Sequence, residues 1–319
     1  MKDDIQEEPV NNDISKETSD VELNGNDVSP RKATKVKPAP KISSKTQYWY
    51  GRVNYWTESN DILKSEVECM SSVGVTGYII EMAGWGRYAK NSDIRKSASS
   101  SAYKNVIKEI KNKYTYLHSL CKTHGIWLFC SVVNDNAVHP GGKHGVKQID
   151  PKHYYNDIAT DLLNIVLKDG PENVIVQPVA ELYPNRVKNH PGPAWHKKAI
   201  SKLKNKGFRV CNNSCKNDDY GRPTSLSDCH YLAWHPNFTD SFPSLKVDKS
   251  KIFIVSDTGP IISQLNNWTN ADKVDANCNP TTVKSWRSRC IKKKFAVCGY
   301  YDYKRKKINK TAILAMAGK

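Results

Sequence analysis

Eight short apolar runs, each set off from the next by a helix-length or loop-length segment, constrain this chain more than any other feature. They are YWYGRVNYW (48–56), GYIIEMAGW (77–85), IWLFCSVVNDN (126–136), NVIVQPVAEL (173–182), FRVCNN (208–213), HYLAWHPN (230–237), KIFIVSDTGP (251–260) and FAVCGYYDYK (295–304). Amphipathic stretches lie between them. SNDILKSEVECMSSVG has helical spacing at Ile62, Leu63, Val67 and Met70, and the segments 102–125, 150–170 and 194–207 each end on Gly, a helix stop. TTVKSWRSRCIKKK (281–294) and KTAILAMAGK add two further helices. Strands alternating with helices through right-handed crossovers make a parallel sheet. Eight such units in about 270 residues predict an α/β fold, a closed (β/α)8 TIM barrel. An open doubly wound sheet is the competing arrangement, but no glycine-rich phosphate loop follows the first run. The fifth and sixth units are the weakest, because 214–228 and 238–250 read as irregular loops.

The barrel is expected to span residues 47–319. Residues 1–46 have almost no aromatic side chain, no apolar period and the Pro-spaced stretch KVKPAPK, so they are expected to be a disordered arm or tether. Such an arm suits an anchoring partner. The first residues, MKDDIQEEPVNND, lack the apolar core of a secretory signal, and no run of about 18 apolar residues exists. Neither a signal peptide nor a membrane span is therefore expected, and no membrane partner.

Cysteine adds to this. There are 9, an odd number, with no CxxC pair, and CNNSC is the only close spacing. That pattern opposes a disulfide framework and a zinc ribbon, and predicts free thiols in a reducing compartment. Cytoplasm or an assembled virion fits that expectation. The net charge of +17 belongs to the folded part, since residues 1–46 mix acids and bases nearly evenly. Basic faces suit anionic partners. The lysines are spread along the helices rather than clustered among aromatics, so solvated surface charge is preferred over a nucleic-acid partner.

In a barrel, chemistry sits at the C-terminal ends of the strands. Those ends carry Asn54 and Trp56; Glu81 and Trp85; Asn134, Asp135 and Asn136; Glu181; Asn213; Trp234 and His235; Asp257; Tyr301 and Asp302. The set is carboxylates, amides and aromatics. It contains no His-x-His pair and no ligand triad at metal spacing, so neither a metal nor a cofactor is expected, and His139 and His144 read as loop residues. Aromatic faces stack on sugar rings while amides, His and Asp take hydroxyls. Paired carboxyls divide acid and base or nucleophile work across a glycosidic bond. Period two places Gln177, Val179 and Glu181 on one side of their strand, and partial burial there would keep Glu181 protonated as a general acid.

With Glu181 ending the fourth strand and Asp257 the seventh, residues 48–310 resemble the clan of (β/α)8 glycoside hydrolases. These place an acid/base Glu after strand four and a carboxylate nucleophile after strand seven. The resemblance implies Glu181 as acid/base and Asp257 as its partner, with Glu81 as a third carboxylate able to replace either. The strand ends themselves offer Asn54, Trp56, Trp85, Asn134, Asn213, Trp234, His235, Tyr301 and Asp302 as the lining expected to bind a polysaccharide or glycan, an anionic one included. Two positions depart from the clan pattern: Asp257 stands where Glu is usual, and Ala180 where Asn precedes the acid/base Glu. A non-catalytic carbohydrate-binding or virion-surface barrel is the alternative those departures support.

Overall fold

A computed structural model describes residues 36–43, 45–52, 55–82, 92–138, 149–182, 188–212, 229–235, 248–256, 280–302 and 306–319. Among them run eight parallel strands: β1 (Gln47–Arg52), β2 (Gly77–Glu81), β3 (Trp127–Asn134), β4 (Val174–Ala180), β5 (Arg209–Asn212), β6 (Tyr231–Trp234), β7 (Ile252–Ser256) and β8 (Val297–Asp302). They pair in sequence order and close, β8 hydrogen-bonding to β1, so the fold is a closed (β/α)8 barrel. The short β5 and β6, four residues each, are the units whose sequence signal was weakest.

The helices are α1 (Asn60–Val73), α2 (Ser101–His124), α3 (Ala159–Asp169), α4 (Gly192–Asn205), α5 (Pro280–Lys293) and α6 (Lys310–Ala317). Their ends follow local chemistry. Ser59 and Ser100 cap α1 and α2 by accepting the N–H of Ile62 and Tyr103, and Gly74 and Gly125 close them in the left-handed conformation. Ahead of α3 come one α-turn, Pro151–His153, and a π-turn, Tyr154–Ile158.

Strand alternation divides the apolar residues into two clusters. The larger lies between strands and helices, and the smaller fills the barrel. Inside, Trp49 packs on Phe253 (5.1 Å) and Phe129 (6.0 Å), and Tyr231 stacks on Phe253 (4.6 Å). Such bulk needs space opposite it: a Cβ at Gly77 would fall 2.5 Å from the Trp49 ring. Aromatic filling therefore occupies the N-terminal half of the barrel, leaving polar interior positions toward the other end.

Outside the barrel, a buried clasp joins its first and last strands. Arg52 (β1) donates from Nε to both Glu66 oxygens at 2.8 Å, and Tyr78 donates to Glu66 at 2.7 Å. Tyr50 and Asn309 donate to Asp302 (β8) at 2.8 and 2.7 Å. Burial pushes the Glu66 carboxyl up, and Arg52 and Tyr78 pull it back.

The expected boundary at residue 46/47 is corrected. Residues 36–43, with Lys45 and Thr46, form a strap across the N-terminal end of the barrel. Lys37 N–H donates to the Lys122 carbonyl, Ala39 N–H to Asn173 Oδ1, Trp127 Nε1–H to the Pro40 carbonyl, and Thr46 Oγ to the Phe295 carbonyl. Ala39 and Ile42 pack on the interior cluster. Two aliphatic side chains, three backbone groups and the Thr46 hydroxyl suffice to hold a segment whose composition alone reads as linker. Residues 1–35 lie outside the described residues.

Candidate active site

Register sets the interior polar layer. Glu81 pairs with Ser131, and Ser131 with Gln177, so the three stand side by side on β2, β3 and β4. Ser131 Oγ donates to Gln177 Oε1 at 2.8 Å. His235, just past β6, lies 3.2 Å from the same oxygen through Nε2, and its ring stacks on Tyr301 at 6.2 Å and 17°. An acceptor facing Nε2 fixes the hydrogen on that nitrogen. Burial lowers His235 to about 4, so it is a neutral donor near pH 7.

Toward the mouth, amides join Glu81 of this layer to a second carboxylate, Glu181. Asn134 Nδ2 donates to Glu81 Oε1 at 3.3 Å. Asn136 Nδ2 donates to Asn134 Oδ1 at 3.0 Å and also to Glu181 Oε2. The chain Glu81–Asn134–Asn136–Glu181 thus crosses the C-terminal ends of β2, β3 and β4. Asn134 reaches inward because β3 ends there and a 3-10 turn, Asp135–Val138, takes over.

That turn is anchored from behind by the π-turn, whose wider spacing directs two successive tyrosines at it. Tyr154 Oη donates to the Asn134 carbonyl (2.6 Å) and accepts its N–H (3.0 Å), while Tyr155 donates to Asp135. Asp135 also receives His190 Nε2 at 3.0 Å. His190 Nδ1 accepts the Gly192 N–H at 2.9 Å, so this imidazole is the Nε2–H tautomer. Gly192 is required by close approach, since a Cβ there would meet His190 and Tyr155 at 2.5 and 2.8 Å.

Several expected positions change. Glu181 does not continue the alternation of Gln177 and Val179: β4 stops at Ala180, and Glu181 takes φ 54°. A non-glycine residue there costs about 1–2 kcal/mol, which its surroundings must offset. Trp234 and Asp302, expected in the lining, face the helices instead. Each neighbours an inward residue, His235 or Tyr301, and adjacent strand residues face opposite ways. Trp234 joins the outer apolar cluster, and Asp302 is fully buried in the clasp. Trp56 is half-buried in the turn Tyr55–Thr57 and packs against the outer cluster. Glu81, Asn134, Glu181, His235 and Tyr301 are brought to the mouth or the layer beneath it. Asn54, Trp85, Asn213 and Asp257, together with His139 and His144, lie outside the described residues.

Asp135 and Asn136 were read at the end of the third strand and Gln177 on the side of Glu181, but none was given a role, and His190 was not singled out. The run NDN at the end of β3 was the available signal for the first two. His190 carries none, because only the fold brings it to Asp135. Among the described residues no group of three His, Cys, Asp or Glu is arranged to hold a metal, and the seven described cysteines are free.

No family model and no curated protein matches the chain. Solved structures similar to it include a glycoside hydrolase family 5 enzyme from Prevotella bryantii, at 10% identity over 89% of this chain and 98% of that one, with a TM-score of 0.49. A family 5 xyloglucanase from Paenibacillus pabuli is 11% identical over 87% and 99%, TM-score 0.48. An endo-beta-1,4-glucanase from Xanthomonas axonopodis pv. citri is 11% identical over 85% and 99%, TM-score 0.46. The barrel itself is established by its own strand pairing.

Proposed function

We propose that the chain is a glycoside hydrolase that cleaves a glycan at the C-terminal mouth of the barrel. The observation that carries this reading is the amide relay holding Glu81 and Glu181 at one mouth. Glu181 is the general acid that protonates the leaving oxygen. Glu81 or Asp257 is the partner, acting as nucleophile if the carboxyls stand about 5–5.5 Å apart, or as base for a water if about 6.5–9.5 Å apart. The shorter Asp257 side chain favours the wider gap and an inverting outcome. Asn136 holds the Glu181 carboxyl in one orientation, and the neutral His235 and Tyr301 form part of the floor beneath.

A panel of polysaccharides assayed with wild type, Glu181→Gln, Glu81→Gln and Asp257→Asn tests this. Glu181→Gln is expected to retain binding and lose at least about a hundredfold in rate, the loss typical of removing general acid catalysis. Only one of the other two variants should match it, which identifies the partner. Full activity in Glu181→Gln removes that residue from the mechanism. Binding without hydrolysis by the wild type supports the non-catalytic barrel instead.

A further inference from the structure

The lysines that look dispersed along the sequence are gathered by the fold. Helices run opposite to strands in a (β/α)8 barrel, so every helix C-terminus and every segment leading into a strand lies at the N-terminal end. Lys292, Lys293 and Lys294 precede β8, Lys249 and Lys251 precede β7, and Lys204 and Lys206 precede β5; all are exposed. The strap adds exposed Lys37, Lys41 and Lys45 to the same end.

Helix dipoles favour cations at helix C-termini, but they do not explain Lys249, Lys251 or the strap, which belong to no α-helix. Nor are these charges spent locally. The lysine ion pairs among the described residues, Lys64–Glu68 and Lys96–Asp93, lie elsewhere. The described acids leading into strands at this end are Asp169, Glu172 and Asp248. Asp169 faces His118, and Asp248 accepts from Ser250 through both oxygens. The arginines nearby lie over rings, Arg209 on Trp127 and Arg287 on Tyr48, so the outward charge is ammonium. Ammonium groups act as hydrated point charges without bidentate readout.

Two features decide what such a face fits. Among the described residues the exposed large hydrophobics are Val36 (45%) and Ile291 (37%), and both lie at this end, on the strap and in the last turn of α5. A cavity of about 520 Å³ also opens here, with Ile42 and Tyr231 on its apolar side and Ser43, Ser250, His230 and Lys251 on its polar side. A duplex backbone rewards charge alone. An anionic bilayer rewards charge, small aliphatic contacts and a headgroup-sized recess together. We propose that the N-terminal end of the barrel is a docking face for an anionic lipid surface. Docked this way, the chain presents the opposite end, with Glu81 and Glu181, to solvent. No membrane span is needed, and no described helix is long and apolar enough to provide one.

The test is co-sedimentation of the full chain with phosphatidylcholine vesicles, with or without about 30% phosphatidylserine, at about 0.1 M and 0.5 M salt. Binding is expected only with phosphatidylserine and should weaken at the higher salt. The triple variant Lys249→Glu/Lys292→Glu/Lys293→Glu should bind at least about tenfold more weakly. Lys104→Glu/Lys108→Glu/Lys111→Glu makes the same change in net charge on the exposed first half of α2 and should bind within about twofold of wild type. Val36→Ser/Ile291→Ser should weaken vesicle binding while leaving its salt dependence unchanged. Equal loss in the two lysine triples, or no binding to phosphatidylserine vesicles, overturns the proposal. So does tight binding to a short DNA duplex by a chain that ignores the vesicles.

Discussion

His235 shows how a single residue's surroundings set both its chemistry and its cost. Its ring is buried against Tyr301 and faces Gln177, and burial lowers it to about 4; His196 on α4 is lowered likewise to about 4. An unfolded histidine titrates near 6.5, so between pH 6.5 and 4 the unfolded chain binds protons that the folded one refuses. Stability is therefore lost as pH falls through that window, by up to about 1.4 kcal/mol per unit for each such histidine. The melting temperature is expected to fall from pH 7 to pH 4.5, and to fall less steeply in His196→Gln/His235→Gln. A parallel decline in both proteins would show that other groups carry the acid sensitivity. Glu181 carries a cost of another kind. Its left-handed backbone turns the carboxylate out of the strand's alternation and onto Asn136, a placement that alternation alone could not give.

Among the elements, the strap is where composition and structure part most. Residues 36–46 read as a Pro-spaced linker, yet they satisfy Trp127 Nε1, Asn173 and backbone groups at the floor of the barrel. A chain beginning at Gln47 leaves these buried groups without partners, at about 1–3 kcal/mol each. Its melting temperature is expected to drop by about 5–10 °C, at roughly 2–4 °C per kcal/mol for a domain of this size. A chain beginning at Val36 should melt within about 2 °C of the full one, because residues 1–35 offer little apolar surface. Differential scanning fluorimetry of the three chains decides it. Equal melting of the full chain and the one starting at Gln47 would mean that the strap contributes nothing. The π-turn before α3 is a second element invisible to periodicity: its sequence, YYNDI, continues a helix, and only the contacts of Tyr154 and Tyr155 with β3 reveal its use.

At the scale of the molecule, the topology was legible because each strand is a buried apolar run and α1, α2, α3 and α4 are each followed by Gly. The strand ends were legible only as a set. Position at a strand end brought in His235 and Tyr301 together with Trp234 and Asp302; alternation, applied only to β4, was not used to separate the inward pair from its outward neighbours. Asn136 and His190 act through contacts between distant segments, which no spacing encodes. The basic end of the barrel was obscured for the same reason, since its lysines come from separate stretches that only barrel closure assembles.

The account's central claim, that Glu181 and a second carboxyl cleave a glycosidic bond at this mouth, is tested most directly by a crystal structure of Glu181→Gln with an uncleaved oligosaccharide. The expected result places the residue-181 amide about 2.6–3.2 Å from a glycosidic oxygen. The Glu81 or Asp257 carboxyl should lie on the opposite face of the same sugar. An oligosaccharide bound away from residue 181, or one whose glycosidic oxygen no carboxyl position can reach, would contradict it.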